Sequence, residues 1–142
     1  MRGKCVICSI VDGREPSRRV LESRSALAFL DINPAADGHT LVVPKEHFAD
    51  IWMLRADAAD DVWRLAVSVA RLLKDALRPD GMTLFQANGR AGWQDISHFH
   101  LHLVPRWLGD PLVRPWHSRP GEPARLDEIA ARLSHSETDE RA

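Results

Sequence analysis

Short runs of apolar residues, each ended by turn-forming residues, occupy the first third of the chain. Residues 19–21, 26–30 and 40–43 have the length and the β-branched or aromatic content of strands. Segments 23–25 and 31–34 are rich in Ser, Asp, Asn and Pro and favour turns, and Pro44 follows the third run. The pattern therefore predicts three short strands in succession.

The apolar period changes to three and four residues between Asp57 and about Leu77, as expected for one amphipathic helix. Acidic residues at 57, 60 and 61 suit the start of this helix, and Pro79-Asp80-Gly81 suits its end. The predicted apolar stripe consists of Val62, Leu65, Ala66, Val69, Leu72, Leu73 and Ala76.

Two more strands are predicted after the helix, at residues 82–87 and 98–104, joined by a Gly-containing loop over residues 88–93. Strands on both sides of a single long helix favour an α+β fold with an antiparallel sheet, since a doubly wound parallel sheet needs a helix between most strands. Beyond Pro105, four prolines predict an irregular segment, followed by a short helix that uses Leu126, Ile129, Ala130 and Leu133. From Ser134 onward the polar tail is expected to fray.

Length and charge narrow the class of protein. With 142 residues and 44% apolar content, the chain is expected to form one domain over residues 1–142. Its 19 basic and 20 acidic residues give a net charge of −1, which predicts no general attraction to nucleic acid or to a membrane. The uncharged run at residues 5–11 is too short for a signal peptide, so we expect a cytoplasmic protein.

Three histidines alternate with apolar residues in the last predicted strand, at His98, His100 and His102. Alternation on a strand would place all three rings on one side and the apolar residues on the other. One alternative is an ordinary polar face. A second is a catalytic zinc ion held by all three rings, which is strained because same-face neighbours lie about 7 Å apart along a strand.

The two cysteines, Cys5 and Cys8, have the C-x-x-C spacing. In a reducing compartment this spacing indicates metal binding or redox chemistry rather than a structural disulfide. The spacing alone does not choose between them.

The chain resembles the histidine-triad (HIT) family, and most closely its bacterial Hint-like branch. The His98–His102 alternation matches the family signature, and residues 5–107 carry further matches in the expected order. The matching segments are Cys5-Val6-Ile7-Cys8, Phe29-Leu30-Asp31-Ile32, the stretch from Gly38 to His47, the Asn88 loop and Gln94. The resemblance implies a five-stranded antiparallel sheet with one long helix and short terminal helices. It also implies a homodimer in which the two sheets continue into one another, with residues 108–142 as an irregular C-terminal extension.

The resemblance implies an enzyme that binds purine nucleotides and cleaves phosphoramidates, nucleotidyl anhydrides or dinucleoside polyphosphates. The middle histidine, His100, would attack the α-phosphorus and form a nucleotidyl-histidine that water hydrolyses, with His102 donating to phosphate or leaving group. Asp31 would accept the ribose hydroxyls, or else only cap a turn. Asn88 and Gln94 would hold phosphate oxygens, or else only satisfy the loop backbone.

Some bacterial relatives complete a structural zinc site with histidines that match His47 and His98. The resemblance thus implies Zn²⁺ bound by Cys5, Cys8, His47 and His98, and no organic cofactor. The redox alternative needs a strand before the cysteines, for which the sequence leaves no room. Reduced, merely buried cysteines remain a further alternative.

Asp95 and Trp93 depart from the family pattern, which commonly has Ser or Thr after the glutamine and a small residue before it. A carboxylate beside phosphate would repel it, so Asp95 either turns away, pairs with a base such as Arg90, or reflects a different leaving group.

Two other functions remain open at this stage. One is a nucleotide-binding regulatory protein with negligible turnover. The other is a structural zinc module, which an intact face of three histidines disfavours because such a module has no use for His100 and His102.

Overall fold

The computed structural model describes residues 4–135 and has an α+β architecture. Five strands form one sheet, and one long helix and two short ones accompany them. The helices are α1 (Val6–Val11), α2 (Ala56–Leu77) and α3 (Pro123–Ser134). The strands are β1 (Arg19–Glu22), β2 (Ala26–Leu30), β3 (Thr40–Pro44), β4 (Gly81–Phe85) and β5 (Leu101–Arg106).

The sheet is antiparallel at each of its four strand pairings, in the order β1-β2-β3-β5-β4. A short turn over residues 23–25 joins β1 to β2, a longer connection over residues 31–39 joins β2 to β3, and α2 lies between β3 and the edge strand β4. The last strand, β5, pairs with β3 on one side and with β4 on the other. The prediction of an antiparallel α+β fold is confirmed.

Two apolar clusters cover the two faces of the sheet. The first joins alternate residues of β2, β3 and β5 to the apolar stripe of α2, and includes Ala28, Val42 and Leu103. The second joins the intervening residues, such as Leu27 and Val43, to Ile7 and Ile10 of α1. Because both faces are covered, β3 is buried along its whole length.

The long helix agrees with its prediction. It begins at Ala56, one residue before the predicted start, and its buried positions belong to the predicted stripe, except Ala58. Leu72 and Ala76 of the predicted stripe are instead exposed. It ends because Arg78 adopts a left-handed conformation with φ 51° and donates its backbone N–H to the Lys74 carbonyl.

The predicted boundary of the last strand was wrong. β5 begins at Leu101 instead of residue 98, so only His102 of the three histidines lies in a strand. The reason is that the preceding backbone bonds outside the sheet, since Phe99 donates to the Phe48 carbonyl at 2.7 Å and His98 to the Ile96 carbonyl at 2.9 Å. Phe99, Leu101 and Leu103, which alternate with the histidines, still lie in the core as predicted, in the cluster that includes α2.

The chain divides into two compact units, one ending at Asp110 and the other beginning at Pro111. The second unit contains an irregular segment and α3, whose N-cap Glu122 accepts hydrogen bonds from the backbone N–H groups of Ala124 and Arg125. The predicted C-terminal helix is therefore present. Of the tail expected to fray from Ser134 onward, Ser134 is the last residue of α3 and the part beyond position 135 lies outside the described residues. The single domain over residues 1–142 stays a prediction.

None of the helices in residues 4–135 is long and apolar enough to cross a membrane.

Gly38 is the glycine whose replacement we expect to cost most. It has φ +82°, and an added Cβ would lie 2.5 Å from Leu77 Cδ1 and 3.2 Å from Pro105 Cγ. Gly38→Ala is expected to lower the free energy of unfolding by about 2–4 kcal/mol, through backbone strain and overpacking together. Gly13→Ala is the matched control, since Gly13 has φ +77° but no neighbour within 4 Å. Urea denaturation of both variants would contradict this account if their losses were equal.

Candidate active site and metal centre

The ring of His100 is held by the backbone of the residue two positions before it. Its Nδ1 lies 2.7 Å from the His98 carbonyl oxygen, which can only accept, so Nδ1 carries the proton. In the neutral ring the lone pair is therefore on Nε2. A neutral imidazole oriented in this way can act as a nucleophile through Nε2.

The tautomer of His102 is set by a chain of two hydrogen bonds. The Ala35 N–H donates to His39 Nδ1 at 2.9 Å, which leaves the proton of the neutral His39 ring on Nε2. That Nε2 lies 2.9 Å from His102 Nδ1, so His102 accepts there and carries its own proton on Nε2. The rings of His100 and His102 have centroids 4.9 Å apart. A lone-pair nitrogen and an N–H donor thus come from neighbouring rings.

Burial keeps the rings of His102 and His39 neutral. It lowers the pKa of His102 to about 4, with further lowering from His100 and His39, while Asp31 and Asp95 oppose the shift. Burial also lowers the pKa of His39, against the opposing charge of Asp31. His102 is therefore an N–H donor and not a cation near neutral pH.

This shift predicts a loss of stability in acid. Below pH 6.5 the unfolded chain binds a proton at His102, whereas the folded chain does not until about pH 4. The free energy of unfolding should therefore fall as the pH falls through this window, by about 1.4 kcal/mol per pH unit for each such proton. Urea denaturation against pH should give a shallower slope for His102→Asn. Equal slopes in the two proteins would contradict the shift.

Two site residues were missed by the sequence analysis. His39 was noted only as part of a matching segment, yet it fixes the His102 tautomer. The ring of Phe85 stacks on His102 with centroids 4.0 Å apart and planes 9° from parallel. Phe85 is adjacent because β4 pairs with β5 in the register Phe85↔His102, a long-range pairing that no local pattern reports.

Asp31 divides its two oxygens between a turn and the histidines. Oδ1 accepts from the Asn33 N–H at 2.8 Å, as the turn-capping alternative requires, while Oδ2 lies 3.6 Å from His39 Nε2. Asp31, His39 and His102 are close enough to hold a metal ion. The 2.9 Å contact between the two rings instead needs a proton between the nitrogens, so we assign this group to hydrogen bonding.

Asn88 and Gln94 both hold loop backbone in this structure. Asn88 Oδ1 accepts from the Ile51 N–H at 2.8 Å, and its amide also pairs with the side chain of Gln86. Gln94 accepts from the Gly89 N–H at 2.8 Å and donates to the carbonyls of Ala49 and Ile96 at 2.6 and 2.9 Å. These contacts favour, for the free protein, the alternative in which the two amides satisfy the hydrogen bonds of the loop backbone. Phosphate binding by Asn88 and Gln94 stays a prediction.

Cys5, Cys8, His47 and His98 come together although they span more than ninety residues of sequence. Cys5 caps α1, Cys8 lies in its first turn, His47 follows β3 and His98 precedes β5. His98 Nδ1 lies 3.5 Å from each cysteine sulfur and 3.1 Å from His47 Nδ1, which is itself 3.4 Å from Cys8 Sγ. The group forms a candidate Cys2His2 metal site.

The donor set fits a tetrahedral zinc ion. Bonds of about 2.3 Å to sulfur and about 2.0–2.1 Å to nitrogen place two nitrogen ligands about 3.3 Å apart and a nitrogen and a sulfur ligand about 3.6 Å apart, close to the 3.1 Å and 3.4–3.5 Å found. The hydrogen bond made by the other ring nitrogen of His98 also fits a zinc site. His98 Nε2 lies 2.8 Å from the Pro44 carbonyl and so carries the ring proton, which leaves the lone pair on Nδ1, the nitrogen that faces the cysteines. The catalytic-zinc alternative is disfavoured because the Nδ1 atoms of His98, His100 and His102 face three different partners.

Asp95 lies beside the ring of His100, with Oδ1 3.3 Å from Nε2. Two nearby cations in the sequence pair with other carboxylates, since Lys45 lies 2.7 Å from Glu22 and Arg106 lies 2.7 Å from Asp110. Trp93 adopts a left-handed conformation with φ 70° in the loop before Asp95.

Comparisons with known proteins agree with this geometry. The HIT domain model matches residues 12–107. A HIT family protein of Bacillus anthracis has a solved structure that is 35% identical, covers 92% of this chain and 95% of its own, and superposes with a TM-score of 0.86. The adenosine 5'-monophosphoramidase of Schizosaccharomyces pombe is 34% identical over 131 residues, covering 92% of this chain and 96% of its own.

A zinc-bound histidine triad family protein of Mycobacterium smegmatis is 34% identical, covers 94% of this chain and 98% of its own, and has a TM-score of 0.75. The family model alone spans well over half of the chain, and the full-length relatives agree with it. The chain belongs to the HIT family.

Proposed function

We propose that this protein is a nucleotide hydrolase or nucleotidyl transferase that attacks the α-phosphorus of a purine nucleotide through His100. Its substrate would be a nucleotide phosphoramidate or a dinucleoside polyphosphate. The observation that carries the proposal is the pairing of tautomers, with the lone pair on His100 Nε2 beside an N–H donor on His102 Nε2. The similarity to an adenosine 5'-monophosphoramidase supports it.

The reaction would have two displacements. The Nε2 lone pair forms a bond to phosphorus, and the electron pair of the bond to the leaving group departs with that group. Throughout the reaction His100 Nδ1 keeps its proton and donates it in a hydrogen bond to the His98 carbonyl. In the second displacement a water oxygen bonds to phosphorus and the N–P electron pair returns to Nε2.

His102 would stabilise the charge that builds on the phosphoryl oxygens. Its Nε2–H is a donor without a full charge, since the pKa of the ring is lowered mainly by burial. His102 would keep this proton, because stabilising the phosphoryl oxygens needs only a hydrogen bond. His39 donates to His102 Nδ1 and so keeps the proton of His102 on Nε2.

Substrate binding is assigned to Asp31 for the ribose hydroxyls and to Asn88 and Gln94 for the phosphate oxygens. Asp31 is supported by its position, since its second oxygen lies 3.6 Å from His39 Nε2 and a carboxylate oxygen lies within 4.8 Å of a ring nitrogen of His102. The two amides would have to exchange loop contacts for substrate contacts, or act by shaping the loop that surrounds the phosphate.

The Cys2His2 group is proposed to bind a structural Zn²⁺ through Cys5, Cys8, His47 and His98. The ion would cross-link α1, the segment after β3 and the segment before β5. Because the His98 ring would bind the metal while its carbonyl orients His100, the same residue would couple the metal centre to the nucleophile. The zinc-bound mycobacterial relative supports this assignment.

A homodimer joined through β4 is also proposed. β4 is an edge strand, and its apolar residues Leu84 and Phe85 are exposed, which is unfavourable in an isolated chain. Pairing with a second β4 would cover them. The solution mass of the protein tests this proposal.

The proposed activity can be tested with an adenosine phosphoramidate and with a dinucleoside polyphosphate. The protein is mixed with each substrate, quenched, and examined by intact-protein mass spectrometry for a mass increase of one nucleotidyl group. An adduct that decays with product release supports the proposal. Tight AMP or GMP binding without adduct or product would instead indicate the nucleotide-binding regulatory alternative.

A further inference from the structure

The carboxylate of Asp95 separates the nucleophile from solvent. The His100 side chain is 3% exposed, whereas that of Asp95 is 76% exposed, and the two meet at 3.3 Å between Nε2 and Oδ1. A phosphorus atom that approaches Nε2 must therefore pass or displace this carboxylate. Since Asp95 is so exposed, its side chain can turn without disturbing buried structure.

An ionised carboxylate can accept hydrogen bonds but cannot donate them. The nitrogen of a P–NH–R phosphoramidate carries a hydrogen that a carboxylate can accept. The bridging oxygen of a P–O–P anhydride carries none, and the phosphoryl groups beyond it are negatively charged. Asp95 thus has an attractive contact with one leaving group and only repulsion for the other.

We propose that Asp95 is a specificity-determining residue that favours amine leaving groups and disfavours polyphosphate leaving groups. This inference rests on the proposed function and narrows its substrate class to phosphoramidates of primary amines. A hydroxyl at this position could accept from nitrogen and donate to oxygen, and so would not discriminate in this way.

The electrostatic environment supports the inference. The lowered pKa of His102 is due first to burial, and Asp95 is one of the two carboxylates that oppose it, so the charge of Asp95 acts on His102 as well as lying 3.3 Å from His100 Nε2. The salt bridges of Lys45 and Arg106 are made with Glu22 and Asp110, which are carboxylates other than Asp95.

The net reaction balances for an amine leaving group. The P–N bond breaks with its electron pair on nitrogen, His100 Nε2 bonds to phosphorus, and water then replaces Nε2. The nitrogen takes one proton from solvent as the P–N bond breaks, so the amine leaves as RNH₂. The water oxygen then ends on the nucleotide phosphate and the water releases two protons, one that replaces the solvent proton and one that converts the free amine to RNH₃⁺. That ammonium ion carries a charge opposite to that of Asp95.

The test compares wild type with Asp95→Asn, which keeps the shape and removes the charge, and Asp95→Ser, which introduces a hydroxyl. Asp75→Asn on the exposed surface of α2 is the matched control for loss of one negative charge. For each protein, kcat/KM is measured with adenosine 5'-phosphoramidate and with diadenosine tetraphosphate. Calorimetry gives the Kd for AMP and for ADP, whose second phosphate occupies the leaving-group position.

In both Asp95 variants the preference for the phosphoramidate should fall by about fivefold or more, and this change should shrink as salt is raised. The ratio of the ADP Kd to the AMP Kd should fall by a similar factor, and Asp75→Asn should change neither ratio. Ratios in the Asp95 variants that equal those of Asp75→Asn would overturn the inference. If wild type turned over neither substrate, the proposed activity would fail, and the AMP and ADP affinities would still decide whether Asp95 repels a second phosphate.

Discussion

Replacement of His100 by Asn is expected to abolish the nucleotidyl adduct and to lower kcat by about three orders of magnitude or more. The Asn side chain can still donate an N–H to the His98 carbonyl, as His100 Nδ1 does, so the local fold should survive. It has no lone pair of comparable nucleophilicity in the place of Nε2. His102 cannot substitute, because its Nδ1 accepts from His39 and its Nε2 carries a proton.

The measurement is intact-protein mass spectrometry after mixing with adenosine 5'-phosphoramidate, together with steady-state kinetics and AMP affinity. His117→Asn is the matched control, since His117 is an exposed histidine in the second compact unit. The control should retain both adduct and turnover, and His100→Asn should retain AMP binding. Turnover at the wild-type rate in His100→Asn would remove His100 from the mechanism.

Loss of one thiolate from the Cys2His2 group should have the largest effect on stability. Protein purified without chelator should contain about one zinc per chain, and Cys5→Ser should contain little. Binding to the folded state alone stabilises a protein by about 4 kcal/mol when free zinc is a thousand times its Kd, so Tm should fall clearly in the variant. Some activity should remain, because the hydrogen bonds of His100 and His102 do not involve the cysteines.

A chelator provides the internal control for the zinc prediction. It should lower the Tm of the wild type and leave that of Cys5→Ser almost unchanged, as measured by thermal denaturation. The chain has only two cysteines, so the Cys5→Ser, Cys8→Ser double variant removes every thiol. Stoichiometric zinc retained by that double variant would move the metal to the histidines and revive the catalytic-zinc alternative.

The sequence by itself determined the elements whose patterns are local. The spacing of apolar residues in α2 repeats at every turn, and the helix was predicted to within one residue of its observed start. The arrangement of strands around one helix was enough for the antiparallel α+β fold. The alternation of His98, His100 and His102 with apolar residues also placed the apolar residues in the core correctly.

Only the tertiary structure decided where β5 begins and which protons the histidines carry. Strand ends depend on the partners that the backbone finds, and His98 and Phe99 find theirs outside the sheet. The tautomers of His100 and His102 depend on acceptors and donors supplied by the His98 backbone and by His39, which is 63 residues from His102. The contact of Asp95 with His100 likewise depends on how the loop before β5 folds back. Periodicity reports which side of an element is apolar, but hydrogen-bond partners brought together from distant segments determine the chemistry of the site.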